Sequence, residues 1–232
     1  MRRPVEEVQA LAERWGEPQT ILNPIPVAPG LTERVIRSFF SDRWGEVVMV
    51  IQRAMDGWVW VMTKESFPPL PVRSNAALRQ GGCVGVGTHD RALYSLPTGG
   101  IRHGEGIEAA LWRELEEETG FQAQIERFIA VVRYVPVLAG GDPQDVPDFT
   151  SYVFLLREET GRDPVLGCGE KILDFKAVSP GELLELAEEW RGLCGSSDEF
   201  HDLAAWGIFR SLAHQVAGQA LVGNSRIQAQ EG

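Results

Sequence analysis

Residues Gly99 to Phe121 read GGIRHGEGIEAALWRELEEETGF, and this stretch decides the fold. A glycine pair, a short polar turn and Gly104 lead to Glu105. From Gly106 to Thr119 the apolar residues Ile107, Leu111 and Leu115 fall at helical spacing, and Gly120 stops the run. At about 100° per residue, with Glu114 at zero, Glu118 lies near 40° and Glu117 near −60°. Three carboxylates therefore share one arc beside the apolar stripe, while Glu116 points elsewhere. The segment predicts a helix that buries one face and crowds acids along its margin.

Such a helix is badly arranged for its own stability. Glu114/Glu117 and Glu114/Glu118 are like-charge neighbours, each costing a few tenths of a kcal/mol. The acids also gather at the C-terminus, where the helix dipole prefers cations. A hard divalent cation would reverse the sign of both penalties. Oxygen-only ligands favour Mg²⁺ or Mn²⁺ over zinc, because no Cys or clustered His accompanies them. Upstream, Gly99 and Gly100 let backbone approach a metal or phosphate closely. Glu105, at the helix entrance, can complete a metal cluster or orient a water; its plainer reading is a helix-end charge interaction.

The pattern Gly99-x5-Glu105-x7-Arg113-Glu114-Leu115-x-Glu117-Glu118-x-Gly120-Phe121 resembles the Nudix box at every fixed position. A chance match in a chain of this length is on the order of 10⁻⁷ at average residue frequencies. The resemblance implies a loop–helix–loop within an α/β/α sandwich, hydrolysing nucleoside diphosphates linked to another moiety. It implies that Glu114, Glu117 and Glu118 bind divalent ions, that Glu105 supports the metal site, and that Arg113 orients a neighbouring carboxylate. It also implies a backbone carbonyl from Thr98 to the metal. Arg102 stands where many members carry Glu, and Thr98 where Gly is common.

Working outward, Ala92–Leu96 reads as a short strand feeding the glycine turn. Gln124–Val137 and Thr150–Leu156 read as strands flanking the Gly/Pro/Asp loop Ala139–Phe149, and Ile172–Val178 as another strand. Ser179-Pro180-Gly181-Glu182 is a capping box opening a helix to about Trp190. A last helix is expected over roughly Asp198–Ala217, with Phe200, Ala204, Ile208, Leu212 and Val216 along one face. Toward the N-terminus, Glu46–Gln52 and Gly57–Thr63 read as a hairpin turned at Ala54-Met55-Asp56. Phe67–Gly82 reads as a loop insertion, Pro24–Gly30 as extended chain, and Pro4–Trp15 as an amphipathic helix serving as lid or dimer arm. Strands and helices interleave without a regular βαβ rhythm, so the expected fold is a Nudix-type α/β/α sandwich with a mixed sheet between helices. Residues 1–40 form a helix and arm in this reading, and 41–232 the hydrolase domain with its C-terminal helices.

The 232 residues carry a formal net charge of −11 and a sequence pI of about 4.9. So acidic a surface repels a phosphate backbone, and no Lys/Arg-rich run offers an exception, so nucleic acid is not the expected partner. Cys83, Cys168 and Cys194 are scattered and odd in number, which argues against a disulfide framework or structural zinc. The N-terminus has acids where a signal peptide needs an apolar run, and no eighteen-residue apolar stretch occurs. The expectation is a cytoplasmic chain without a membrane partner, binding a nucleotide-like small molecule. A homodimer through the N-terminal arm is also expected, since related ADP-ribose-type enzymes exchange such arms.

Substrate signals lie outside the box. Pro136 falls fifteen positions after Phe121, a spacing that resembles a proline of ADP-ribose-cleaving members; its plainer reading is a strand end. The tyrosine of dinucleoside-polyphosphate members is absent at Leu138 and Ala139. Asp142, Asp145 and Asp148 crowd the loop beyond Pro136, and Glu170 precedes a strand. Loop acids in related hydrolases sometimes act as general base or hold another metal, although each is more simply a solvated charge. Trp58, Trp60, Tyr134 and Phe149 could stack on a base, but aromatics on strands more often fill cores. His103 reads as an exposed turn residue. The expected function is metal-dependent hydrolysis of a pyrophosphate bond, with ADP-ribose or a nucleotide sugar favoured. The alternatives are a nucleoside-triphosphate pyrophosphatase and a non-catalytic nucleotide-sensing module; the intact set of box glutamates speaks against the latter.

Overall fold

Val47, Met49 and Ile51 point to one side of a strand and Val48 and Val50 to the other, and all five are wholly buried. A strand covered on both faces belongs in the middle of a sheet between two helical layers. The computed structural model describes residues 4–27, 42–67, 92–138, 149–165, 171–193 and 203–231. Its elements are α1 (Pro4–Trp15), β1 (Gln19–Val27), β2 (Arg43–Gln52), β3 (Val59–Lys64), β4 (Thr98–Arg102), α2 (Ile107–Thr119), β5 (Ala123–Leu138), β6 (Phe149–Glu158), β7 (Ile172–Val178), α3 (Pro180–Arg191) and α4 (Leu203–Glu231).

The seven-stranded sheet runs β1-β5-β6-β2-β3-β7, with β4 pairing with β2 off this path. β2 is parallel to β6 and antiparallel to β3 and β4, and β1 is parallel to β5, so the sheet is mixed. One core packs Val48, Val50, Val61 and Val132 against Leu183 and Leu186 of α3 and Ala213, Val216 and Ala217 of α4. The opposite core packs Val47, Met49, Ile51 and Phe154 against Ile107, Leu111 and Leu115 of α2 and Leu11 of α1. The expected α/β/α sandwich with a mixed sheet is the fold found. Among the described residues no helix is long and apolar enough to cross a membrane.

Three local expectations are corrected. The proline-rich stretch begins inside a true strand, β1, which pairs Pro24 with Val135 and Pro26 with Val137. Both prolines are tolerated because β1 is an edge strand and needs no donor on its outer side. Ala92–Leu96 does not form a strand; a single antiparallel bridge joins Ser95 to Met62. Helix side chains satisfy the backbone on either side of that bridge, Trp190 Nε1 donating to Tyr94 O at 2.8 Å and His214 Nε2 accepting from Leu96 N at 3.0 Å. The last helix extends far beyond Ala217; of the expected stripe, Val216 is buried and Leu212 packs against the core, but Ile208 does not join them. Ile208 is exposed, whereas Trp206, Ala213, Ala217 and Leu221 are buried. Phe200 lies outside the described residues.

Candidate active site

α2 begins at Gly106 in an extended conformation with no capping side chain of its own. Glu7 of α1 fills that position, its Oε1 accepting from Glu108 N at 3.4 Å, and Arg14 grips the Glu108 carboxylate with both terminal nitrogens at 2.7 and 3.1 Å. A carboxylate beside a helix N-terminus also complements the dipole. At the far end Gly120 adopts φ 65°, and its N–H donates to Glu116 O; this left-handed closure suits glycine.

Arg113 is the hub of the helix. Its Nε and Nη2 donate to the two oxygens of Glu105, both at 2.8 Å, forming a planar fork. Nη1 donates to Glu114 Oε1 at 2.6 Å and Glu117 Oε2 at 3.1 Å, and Nη2 also reaches Gly100 O at 2.9 Å. The Arg113 hydrogen bonds hold the Glu105 carboxyl below its ordinary pKa, and Glu105 in turn raises that of the guanidinium. Glu105 is therefore an anion at neutral pH, its Oε2 also accepting the Arg102 N–H at 3.0 Å. The turn before α2 is tied down from inside the helix.

Gly99 lies against Glu114 so closely that a β-carbon there would sit 1.8 Å from Glu114 Cγ. The glycine is required for space. Glu114 is 8% exposed and Glu118 only 1%, and the Lys64 ammonium stands 2.7 Å from Glu118 Oε1. Glu117 is half-exposed, with the Arg102 guanidinium at 3.7 Å.

Thr98, one residue before the box, turns its side chain to the other face of the sheet. Its Oγ1 accepts from Arg210 Nη1 of α4 at 2.9 Å, and the same nitrogen lies 3.3 Å from the buried Glu46 Oε2. Ser151 donates to the other Glu46 oxygen at 2.7 Å. The Arg210 guanidinium sits over the rings of Trp206 and Phe209. One turn further on, His214 Nδ1 contacts Arg210 O at 2.8 Å. Burial lowers the His214 pKa to about 4, so the imidazole is neutral, with Nδ1 the donor and Nε2 the acceptor.

The structure thus gathers Glu105, Arg113, Glu114 and Glu117 into one network, and places Thr98 at the start of β4, the strand whose Gly99 faces Glu114. Glu118 lies on the same helix in a separate pair. Among the described residues no three His, Cys, Asp or Glu side chains converge closely enough to cage an ion as they stand; Arg113 and Lys64 hold the box carboxylates. Two features nonetheless fit a hard divalent cation: a donor set made only of oxygen, and the Gly99 cradle, where backbone passes Glu114 with no room for a side chain. Asp142, Asp145, Asp148 and Glu170 lie outside the described residues. His103 is exposed in its turn. Trp60, Tyr134 and Phe149 belong to the cores, and Trp58 is exposed. β5 continues through Pro136 to Leu138, so that proline does not end the strand.

Lys64, Glu46, Arg210 and His214 escape the sequence reading. The available signal was positional: Glu46 heads the apolar run EVVMVIQ and Lys64 closes WVWVMTK, while Arg210 and His214 stand one turn apart in a mostly apolar helix.

The NUDIX domain family matches residues 76–193, just over half of the chain. No curated protein matches it. Among solved structures, it is similar to a C. elegans Ap4A hydrolase binary complex at 15% identity, covering 77% of this chain and 98% of that one, with a TM-score of 0.44. It is also similar to the E. coli dihydroneopterin triphosphate pyrophosphohydrolase at 17% identity, covering 62% and 86%, TM-score 0.40. The NUDIX domain of Shewanella oneidensis NrtR, complexed with ADP ribose, matches at 14% identity over 64% and 80%, TM-score 0.38. Likeness of this degree says nothing about substrate. With the complete box built as described and the domain match spanning it, the chain belongs to the Nudix family and is a pyrophosphohydrolase of that generally metal-dependent family.

Proposed function

We propose that the chain hydrolyses the pyrophosphate bond of a nucleoside diphosphate linked to a second moiety, with ADP-ribose or a nucleotide sugar favoured. The observation that carries this reading is Gly99 against Glu114, a strand backbone pressed onto a carboxylate stem with room for hydrogen only. Mg²⁺ or Mn²⁺ would be held by Glu114, Glu117, Glu118 and the Thr98 carbonyl, with Glu105 in support and Glu170 as a further ligand. When bound, such an ion supplies Lewis-acid neutralisation of the charge on the pyrophosphate oxygens.

The protein's own contribution is orientation and proton transfer. Arg113 is fully engaged by Glu105, Glu114, Glu117 and Gly100 O, so it sets the carboxylates rather than gripping substrate. The proton of the attacking water goes to Glu114 or to one of Asp142, Asp145 and Asp148, with the loop acid favoured if the substrate resembles ADP-ribose. Pro136 is the support for that substrate. Val5 at 77% and Leu22 at 62% exposure support a homodimer in which the N-terminal helix and arm take part.

The test is a product-resolved screen of ADP-ribose, nucleotide sugars, dinucleoside polyphosphates and nucleoside triphosphates with Mg²⁺ and Mn²⁺. AMP and ribose 5-phosphate released at the highest kcat/KM support the reading. Pyrophosphate released from triphosphates alone replaces it with a nucleotide-clearing role, and tight binding without turnover replaces it with a sensor. Sedimentation with and without residues 1–18 tests the dimer, and a monomer in both cases ends that part.

A further inference from the structure

Lys64 closes β3, whose preceding residues Val59 to Thr63 are all buried. Alternation along the strand sends Trp60 and Lys64 to the face covered by α2, and Trp60 packs in that core. The Lys64 side chain is 12% exposed, and its ammonium stands 2.7 Å from an oxygen of Glu118, whose own side chain is 1% exposed. The partners are 54 positions apart in sequence, so the fold alone brings them together.

A buried ion pair is not stabilising by default, because desolvating the two charges offsets much of their attraction. This one has a particular placement, since its acidic partner is one of the three carboxylates that share the arc of α2. A cation so close to a carboxylate makes a second cation there less favourable. It also makes the buried carboxylate tolerable when no other cation is present. Lysine suits such an exchange better than arginine, since its ammonium is a point charge on a flexible stem rather than a rigid fork. Arg113 differs in this respect: it is pinned by four separate acceptors and cannot leave Glu114 without releasing Glu105.

We propose that Lys64 is the resident counter-charge of Glu118 in the metal-free protein and competes with the divalent ion for that carboxylate, thereby setting the affinity of the site. The inference rests on the metal-binding reading given above. Lys64 is in this sense a positioning residue that acts through Glu118. Removing its charge should weaken the metal-free fold and strengthen metal binding, a combination that a purely structural ion pair does not produce.

The experiment uses the full chain and Mn²⁺ alone as probe, with free Mn²⁺ counted by electron paramagnetic resonance and thermal unfolding followed in EDTA and in saturating Mg²⁺. Lys64→Met is expected to bind Mn²⁺ about tenfold more tightly than wild type. It should melt lower than wild type in EDTA, with the gap narrowing in Mg²⁺. Lys64→Arg should bind Mn²⁺ no more tightly than wild type, because the charge is retained on a side chain that gives way less readily. If Lys64→Met does not fold, Lys64→Gln is read in its place, with the same tightening expected. Equal or weaker Mn²⁺ affinity in the charge-free variant, or a melting gap that Mg²⁺ leaves unchanged, overturns the competition. If wild type itself binds no Mn²⁺, the metal reading falls and this inference falls with it.

Discussion

α3 opens with proline behind a complete capping box, in which Ser179 and Glu182 exchange hydrogen bonds, and it closes with Arg191 in its last turn. α2, on the opposite face of the sheet, opens at an uncapped glycine and has no basic residue in its last turn. What α3 supplies locally, α2 receives from elsewhere: an N-terminal carboxylate from Glu7 and a cation for Glu118 from Lys64. A helix that satisfies its own ends is free to be scaffold. One that depends on distant elements for its charge balance is fixed in place by the whole fold.

The sharpest break in this contrast is expected at Gly99. Gly99→Ala should lose about 3 kcal/mol of stability and about a hundredfold or more in turnover, because the new methyl would overlap the Glu114 stem. Urea unfolding and initial rates check both, and near-normal values would show that strand and helix separate easily. On the α3 side the sensitive group is buried, neutral His214. Burial holds its folded pKa at about 4, below the ordinary 6.5, so its contribution is intact above pH 6.5. It is then lost as pH falls toward 4 and the unfolded chain takes up the proton first. The loss is on the order of 3 kcal/mol. Unfolding curves between pH 7 and 4 should carry this slope in wild type and lack it in His214→Gln; an identical slope in both would assign the acid sensitivity to other groups.

Arg113→Lys keeps the charge but not the fork on Glu105. Turnover should fall by about tenfold to a hundredfold with KM within about threefold, and a change confined to KM would make Arg113 a substrate contact. Smaller effects belong to α3. Ser179→Ala should cost about 1 kcal/mol through the lost cap and leave kcat unchanged. Gly181→Ala should be neutral or stabilise by up to about 1 kcal/mol, since it sits within the helix and its nearest neighbour would be Ser179 Oγ at 3.9 Å. A drop in turnover from either substitution would mean that α3 is coupled to the site after all.

Where the relevant signal was local, the sequence carried it. Helical spacing within Ile107–Leu115, the glycines around it and the capping box at Ser179 are patterns within a turn or two, and each element formed where expected. What went unread involves partners far apart. Arg210 meets Thr98 across 112 positions and Glu46 across 164, and β1 finds its parallel partner in β5 through a register that no periodicity in either strand encodes. Of the stripe expected on α4, Val216 is buried and Leu212 packs against the core, but Ile208 is exposed, and two polar side chains on this helix, Arg210 and His214, reach Thr98 and Leu96.

The place of β2 carries a consequence for any shortened form of the chain. The family match begins at residue 76, whereas β2 ends at Gln52 and lies between β6 on one side and β3 and β4 on the other. A fragment trimmed to the matched span would lack β1, β2 and β3, leaving β4 without its partner and β6 with a bare edge, rows of unpaired N–H and C=O groups. Strands from other copies would fill those rows, and the product would be sheet-linked aggregate rather than a smaller enzyme.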